Sequence, residues 1–175
     1  MHILLAEDNG VNQKLFTRIL TRLECTVSIA NNGQEALDYL ASSPATHRRP
    51  DIILMDVSMP VMGGIEATNI IRTQPPFATD PTISMTPIIA MTAHTLQAQI
   101  NSGWFQGRGF DDVLQKPARV GRVGQLILYW SRRRVVPRQG ALAVPHTGNM
   151  VPLPPAAVPW GISPLRAYRG PRSLL

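Results

Sequence analysis

The 175-residue chain has a single cysteine, Cys25. No internal disulfide can form, so an intracellular setting is favoured and stability must come from a core. A hydrophobic fraction of 44% is enough to build one. No apolar stretch approaches the length of a membrane span. The apolar start, Ile3-Leu4-Leu5-Ala6, is too short for a signal peptide and runs into Glu7-Asp8. The cytoplasm is therefore the expected compartment, with the nucleus as the alternative and no membrane contact. Acid is missing from the end of the chain. Residues 131–175 hold seven Arg and no Asp or Glu, whereas residues 1–130 hold ten Lys/Arg and all eleven acids. The formal charge of +6 thus belongs to the tail and does not mark a nucleic-acid surface on the rest.

Short apolar runs alternate with helix-like stretches. Strands are expected over 2–6 (HILLA), 26–30 (TVSIA), 51–55 (DIILM), 87–91 (PIIAM) and 112–115 (DVLQ), each bounded by polar or turn residues. Val11, Leu15, Phe16, Ile19, Leu20 and Leu23 recur at three- and four-residue spacing, one face of a helix that Asn9 or Asn12 can cap. Further helices are expected over 33–41, 64–73, 95–101 and 119–130; glycines weaken the last two. The prolines of 74–86 read as excluding helix there, and 42–50 reads as a long loop. Strands alternating with helices imply a parallel sheet covered on both faces, an α/β architecture. Residues 131–175 contain eight prolines and no apolar periodicity, and read as a disordered tail on a domain of residues 1–130.

In an open parallel α/β sheet, ligands sit beyond the carboxyl ends of the strands. The first strand ends in Glu7-Asp8, the third in Asp56, the fourth in Thr92 and the fifth in Lys116. Three acids, a hydroxyl and an ammonium therefore converge on one rim. Crowded carboxylates repel and stay partly protonated unless a cation compensates them. Mg²⁺ takes oxygen ligands and leaves room for water and phosphate oxygens. Beside such an ion Asp56 stays anionic and can attack phosphorus, giving an acyl phosphate. Phosphoryl transfer needs positioning and neutralisation of the transferred oxygens, which Lys116 and the Thr92 hydroxyl can supply. Taken singly, each residue has an ordinary role: Asp56 a loop acid or helix cap, Glu7-Asp8 and Thr92 caps, Lys116 a solvated lysine. The functional reading rests on all of them ending successive strands.

These residues resemble the receiver domain of two-component response regulators. The matching stretches are ILLAEDNGVNQKL (3–15), NNGQEAL (31–37), DIILMDVSMPVMGGIEA (51–67), TPIIAMTAHT (86–95) and GFDDVLQKP (109–117). The style is that of receivers of hybrid histidine kinases and fungal regulators. The resemblance implies a flavodoxin-like fold of five strands in the order 2-1-3-4-5, taken over from the family rather than derived from this sequence. It implies that Asp56 accepts the phosphoryl group. Asp8 and Asp56 would bind Mg²⁺ directly, the backbone carbonyl of Ser58 would add a ligand, and Glu7 would assist through water. Thr92 would be the switch hydroxyl and Lys116 the lysine that meets the phosphoryl group. The donor would be a phosphohistidine on a histidine phosphotransfer protein or a histidine kinase. The receiver itself would catalyse its phosphorylation and its slow dephosphorylation.

Three departures from the family pattern stand out. Val113 occupies the position, three residues before Lys116, where Tyr or Phe is common and moves as the switch sets. The segment from Thr92 to Lys116 is slightly long, and its Trp104-Phe105 reads as packing under a loop. The tail is not expected to form an effector domain, so no direct DNA binding follows from the receiver. Arg132-Arg133-Arg134 offers at most a weak polyanion contact or a nuclear signal. The main alternative is a pseudo-receiver that binds partners without being phosphorylated, against which the intact acids, Thr92 and Lys116 all speak. A flavin or nucleotide binder would need a phosphate-cradling loop after the first strand, where EDNGVN stands instead. A carboxylate-nucleophile phosphatase resembles a D-x-D pattern after its first strand, which is missing here.

Overall fold

Apolar residues at every position of a strand demand cover on both faces of the sheet. That is the situation of β1 (His2–Ala6), β3 (Ile52–Asp56) and β4 (Ile88–Thr92), buried along their whole length in a computed structural model that describes residues 1–93 and 103–133. The remaining strands, β2 (Thr26–Ala30) and β5 (Asp112–Gln115), are partly exposed because they form the two edges. The sheet is parallel throughout, in the order β2-β1-β3-β4-β5. The fold is the flavodoxin-like receiver architecture expected from the resemblance.

Alternate residues of each strand face opposite layers. Leu4, Ala6, Ile53, Met55, Ile88 and Ala90 pack under α2 (Gly33–Ala41) and α3 (Gly64–Thr73). Ile3, Leu5, Ile52, Leu54, Ile89 and Met91 pack under α1 (Gly10–Arg22) and the last helix. Burying each of the Leu, Ile and Met side chains stabilises the fold by about 1.5–3 kcal/mol. Among the described residues, helices also cover Pro81–Ser84 (α4) and Val120–Arg133 (α5), with a 3₁₀ turn over Gln106–Arg108.

Four sequence expectations need correction or placement. Residues 74–86 do contain a helix: Pro81 opens α4 as its first residue, where the missing N–H would be unpaired in any case, and Asp80 caps it by accepting from Thr82 N at 2.8 Å. Strands β3 and β4 end one residue later than expected, so Asp56 and Thr92 belong to the ladder itself, paired with Met91 and Gln115. Helix α5 continues through Arg133, past the expected boundary at 130, with the Arg133 guanidinium 4.7 Å from the Tyr129 ring. Arg132 and Arg133 are thus helical surface residues. The helix expected over 95–101, Arg134 and the rest of the tail fall outside the described residues. Phe105 is fully buried between Trp104 and Phe110, so the packing expected of this pair holds, and Arg108 lies 3.6 Å over the Trp104 ring.

The far end of the sheet carries a polar chain around the buried His2. Tyr39 donates its hydroxyl proton to the Arg48 carbonyl at 2.8 Å, and therefore accepts from His2 Nε2 at 2.8 Å. His2 Nδ1 faces Thr26 Oγ1 at 2.9 Å, and that hydroxyl donates to the Met1 carbonyl at 3.3 Å. Burial, and then the charge of Arg48, hold the His2 pKa below its ordinary value. A lowered histidine pKa means that the unfolded chain binds a proton first as the pH falls. The stability His2 contributes is complete above about pH 6.5 and is lost as the pH drops through its lowered native value. In urea titrations the stability advantage of wild type over His2→Gln should therefore be larger at pH 7 than at pH 5; an advantage that grows on acidification would refute the lowered pKa.

Candidate functional site

Parallel strands all point their carboxyl ends the same way, so the residues that close β1, β3, β4 and β5 share one rim. Glu7 follows β1 and has 0% of its surface exposed, while Asp8 beside it is exposed. Asp56 closes β3 and is 5% exposed. Lys116 follows β5 and reaches back over the rim: its ammonium donates to Glu7 Oε2 at 2.9 Å and to Asp56 Oδ2 at 2.7 Å. The other Asp56 oxygen, Oδ1, accepts from the backbone N–H of Ser58 at 3.3 Å. Thr92 closes β4, buried, and its carbonyl accepts from Lys116 N at 2.7 Å. Ser58 itself is exposed at the start of the β3–α3 loop. The structure thus brings Glu7, Asp56 and Lys116 into direct contact, with Asp8, Ser58 and Thr92 around them. His94 lies outside the described residues.

Local sequence explains how the loops hold. Asn9 caps α1, its Oδ1 accepting from Val11 N at 2.9 Å and Asn12 N at 3.2 Å, which settles the choice between Asn9 and Asn12. Asn12 is thereby released, and its carboxamide donates to Glu7 Oε1 at 2.9 Å. Gln13 donates to the Glu7 carbonyl at 2.6 Å and to Asn31 Oδ1 at 3.0 Å. Sequence reasoning missed these two amides as site residues, although the EDN-x-x-NQ pattern carried them. On the other side, Gly64 starts α3 against the Asp56 backbone: a Cβ there would lie 2.0 Å from the Asp56 carbonyl oxygen and 2.8 Å from Met55 Cγ. Only glycine lets α3 begin so close to the acid.

Burial drives the electrostatics. It pushes the Asp56 carboxyl above its ordinary pKa, with Glu7 adding to the rise, and Lys116 only partly offsets this. Burial also pulls on Lys116, but its hydrogen bonds to Asp56 and Glu7 outweigh that and raise its pKa. Two buried acids thus share one cation, which does not bring Asp56 back to its ordinary range. One carboxylate oxygen from each of Glu7, Asp8 and Asp56 lies within 4.8 Å of the others. An all-oxygen, acid-rich set of this kind fits a hard divalent cation such as Mg²⁺. It does not fit zinc or copper, which favour nitrogen and sulfur.

A family model for the response regulator receiver domain matches residues 3–127. The chain belongs to that family. The receiver is 39% identical over 115 residues to hybrid signal transduction histidine kinase I of Dictyostelium discoideum, which covers 66% of this chain but only 6% of the kinase. It spans a similarly small part, 7%, of the hybrid signal transduction protein dokA of the same organism. Among solved structures, the receiver domain of sensor histidine kinase PA1611 of Pseudomonas aeruginosa is 34% identical, with a TM-score of 0.58 over 74% of this chain and 95% of that one. That crystal structure has a magnesium ion coordinated in its active-site cleft. The receiver of Saccharomyces cerevisiae Ssk1, solved together with the histidine phosphotransfer protein Ypd1, is 26% identical, with a TM-score of 0.63 over 78% of this chain and 92% of that one. The present receiver is therefore a module of two-component signalling. Among its described residues no helix is long and apolar enough to cross a membrane.

The Gly64 contact gives a direct test of the site's framing. Gly64→Ala forces the β3–α3 loop off the Asp56 carbonyl and should destabilise the receiver by about 1–3 kcal/mol in urea titrations. A wild-type urea midpoint would show that α3 can move away at no cost.

Proposed function

We propose that this receiver takes a phosphoryl group from a phosphohistidine onto Asp56 and signals through the resulting change at the rim. The observation that carries the reading is the Lys116 ammonium set between the two buried acids, 2.7 Å from Asp56 Oδ2 and 2.9 Å from Glu7 Oε2. In the reaction a carboxylate oxygen of Asp56 bonds to phosphorus. The phosphorus–nitrogen bond to the donor imidazole breaks, and the imidazole leaves with the electron pair and takes up a proton. Lys116 neutralises charge on the phosphoryl oxygens, and the Thr92 hydroxyl donates to one of them as the switch contact. Asp8, Asp56 and the Ser58 carbonyl are the residues that would hold Mg²⁺, with Glu7 acting through water. When bound, Mg²⁺ supplies further neutralisation of the phosphoryl oxygens. With the aliphatic Val113 in place of a ring, the switch runs without aromatic gating.

The donor must bring its imidazole into contact with Asp56, so its docking surface has to surround the rim. Exposed apolar side chains stand there on elements that leave the carboxyl ends of three strands: Val11 and Leu15 on α1, Val61 after β3 and Val120 at the start of α5. Val61 is 86% and Val11 76% exposed, costs to solubility that a partner surface would remove. These support a protein donor, proposed to be a histidine phosphotransfer protein or a histidine kinase in the cytoplasm. The domain proposed for this role ends with α5, and the Pro/Arg-rich tail is proposed to take no part in the transfer.

Two experiments test this reading. Incubation with acetyl phosphate and Mg²⁺, followed by intact mass, should add one phosphate to wild type and none to Asp56→Asn; an unmodified wild type would favour a pseudo-receiver. Leu15→Asp should slow transfer from a phosphorylated histidine phosphotransfer protein by about tenfold or more, and leave labelling by acetyl phosphate near the wild-type rate. Equal slowing with both donors would mean that Leu15 serves the fold and not the docking of the protein donor.

A further inference from the structure

The Glu7 carboxylate is fully buried, and its two oxygens face different donors. Oε2 accepts from the Lys116 ammonium at 2.9 Å. Oε1 accepts from the Asn12 carboxamide at 2.9 Å and from Asn9 N at a longer 3.3 Å. The main chain of the same residue is gripped from the neighbouring position, where Gln13 donates to the Glu7 carbonyl at 2.6 Å. A buried carboxylate held through one oxygen can still rotate, whereas one held through both has a single orientation. Lys116 brings donors only, so its ammonium settles where the acceptors Glu7 Oε2 and Asp56 Oδ2 put it. The Asn12 side chain is not needed to start the helix, because Asn9 Oδ1 already caps Val11 N and Asn12 N.

We infer that Asn12 is a positioning residue of the phosphoryl-acceptor site: by holding Glu7 Oε1, its carboxamide orients the Glu7 carboxylate so that Oε2 sets the Lys116 ammonium beside Asp56. The inference rests on the proposed function for its consequence, but not for its geometry. Asn12→Leu keeps the shape and removes the shorter donor, leaving Glu7 Oε1 with only the longer contact to Asn9 N at 3.3 Å. The carboxylate then turns toward what donors remain, and Lys116 loses its fixed place. Asn12→His keeps a ring N–H at similar reach.

The test reads the ammonium directly, in metal-free and unphosphorylated protein, by ¹⁵N-edited NMR of Lys116 Nζ. Wild type should show a slowly exchanging ammonium signal. Asn12→Leu, and Asn12→Ala as a second variant, should lose it while the backbone amides of the sheet keep their shifts; Asn12→His should retain it. With acetyl phosphate at saturating Mg²⁺, Asn12→Leu should be phosphorylated about tenfold more slowly than wild type and Asn12→His within about threefold of it. A folded Asn12→Leu or Asn12→Ala with the wild-type ammonium signal and rate overturns the inference. So does an Asn12 side-chain amide resonance that does not move in Glu7→Gln, a measurement that leaves Asn12 in place. A wild type that takes no phosphate overturns the proposed function instead, and the ammonium signal still decides the role of Asn12.

Discussion

Lys116 has to serve two buried acids that arrive on different strands, and most of the rim is arranged so that one ammonium can reach both. Strands β1 and β3 are neighbours, but β5 lies beyond β4. Neighbouring strands stand about 4.8 Å apart, so a side chain from β5 must cross roughly 9–10 Å to meet an acid on β3. A lysine stem spans most of that distance and ends in a compact charge. Thr92 closes the intervening strand. Any phosphoryl group on Asp56 would thus meet the Lys116 ammonium beside it, with Thr92 closing the neighbouring strand. Losing Lys116 would leave two buried acids without their cation, a defect that typically costs about 3–5 kcal/mol.

The price of this arrangement is visible in the protonation balance. Asp56 is pushed toward its neutral form because burial and Glu7 together outweigh the help from Lys116. The acid proposed as nucleophile is therefore held in a site that resists its charge. Such tension belongs to functional sites rather than to optimised cores. Around it the supporting structure is rigid: Gly64 lets α3 begin against the Asp56 backbone, and the two amides of α1 grip residue 7 through both its side chain and its main chain. Elsewhere the same chain relies on staples of an ordinary kind. Arg72 donates to the carbonyls of Ser84, Thr86 and Gly109 and to Asp111, which ties α3 to the segments before β4 and β5.

The site's surroundings divide into an inner part that fits one chemistry and an outer part that fits a choice of partner. Carboxylates, hydroxyl and ammonium lie at strand ends, where the ladder leaves little freedom. Val11, Leu15, Val61 and Val120 lie on helices and a loop, where substitution disturbs no ladder. A receiver can therefore keep its reaction while changing the proteins that feed it.

Much of this was readable without coordinates. Buried parallel strands announce themselves as apolar runs between turn residues, and α1 through its three- and four-residue spacing, because both patterns are set locally. Once the strands were placed, their polar last residues named Glu7, Asp8, Asp56, Thr92 and Lys116. What stayed hidden depended on distance in space. Glu7 and Lys116 are 109 positions apart, and no pattern in the chain says which oxygen of Glu7 the ammonium takes. Asn9 and Asn12 are equivalent caps on paper, and only the folded first turn assigns the cap to one and the Glu7 carboxylate to the other. Strands β3 and β4 run one residue further because their neighbours go on pairing with them, and α5 reaches Arg133 along an aromatic flank. Local chemistry determined which residues would stand at the rim; the tertiary fold decided which atoms meet there, since a hydrogen bond is specified by ångströms and angles that sequence spacing does not encode.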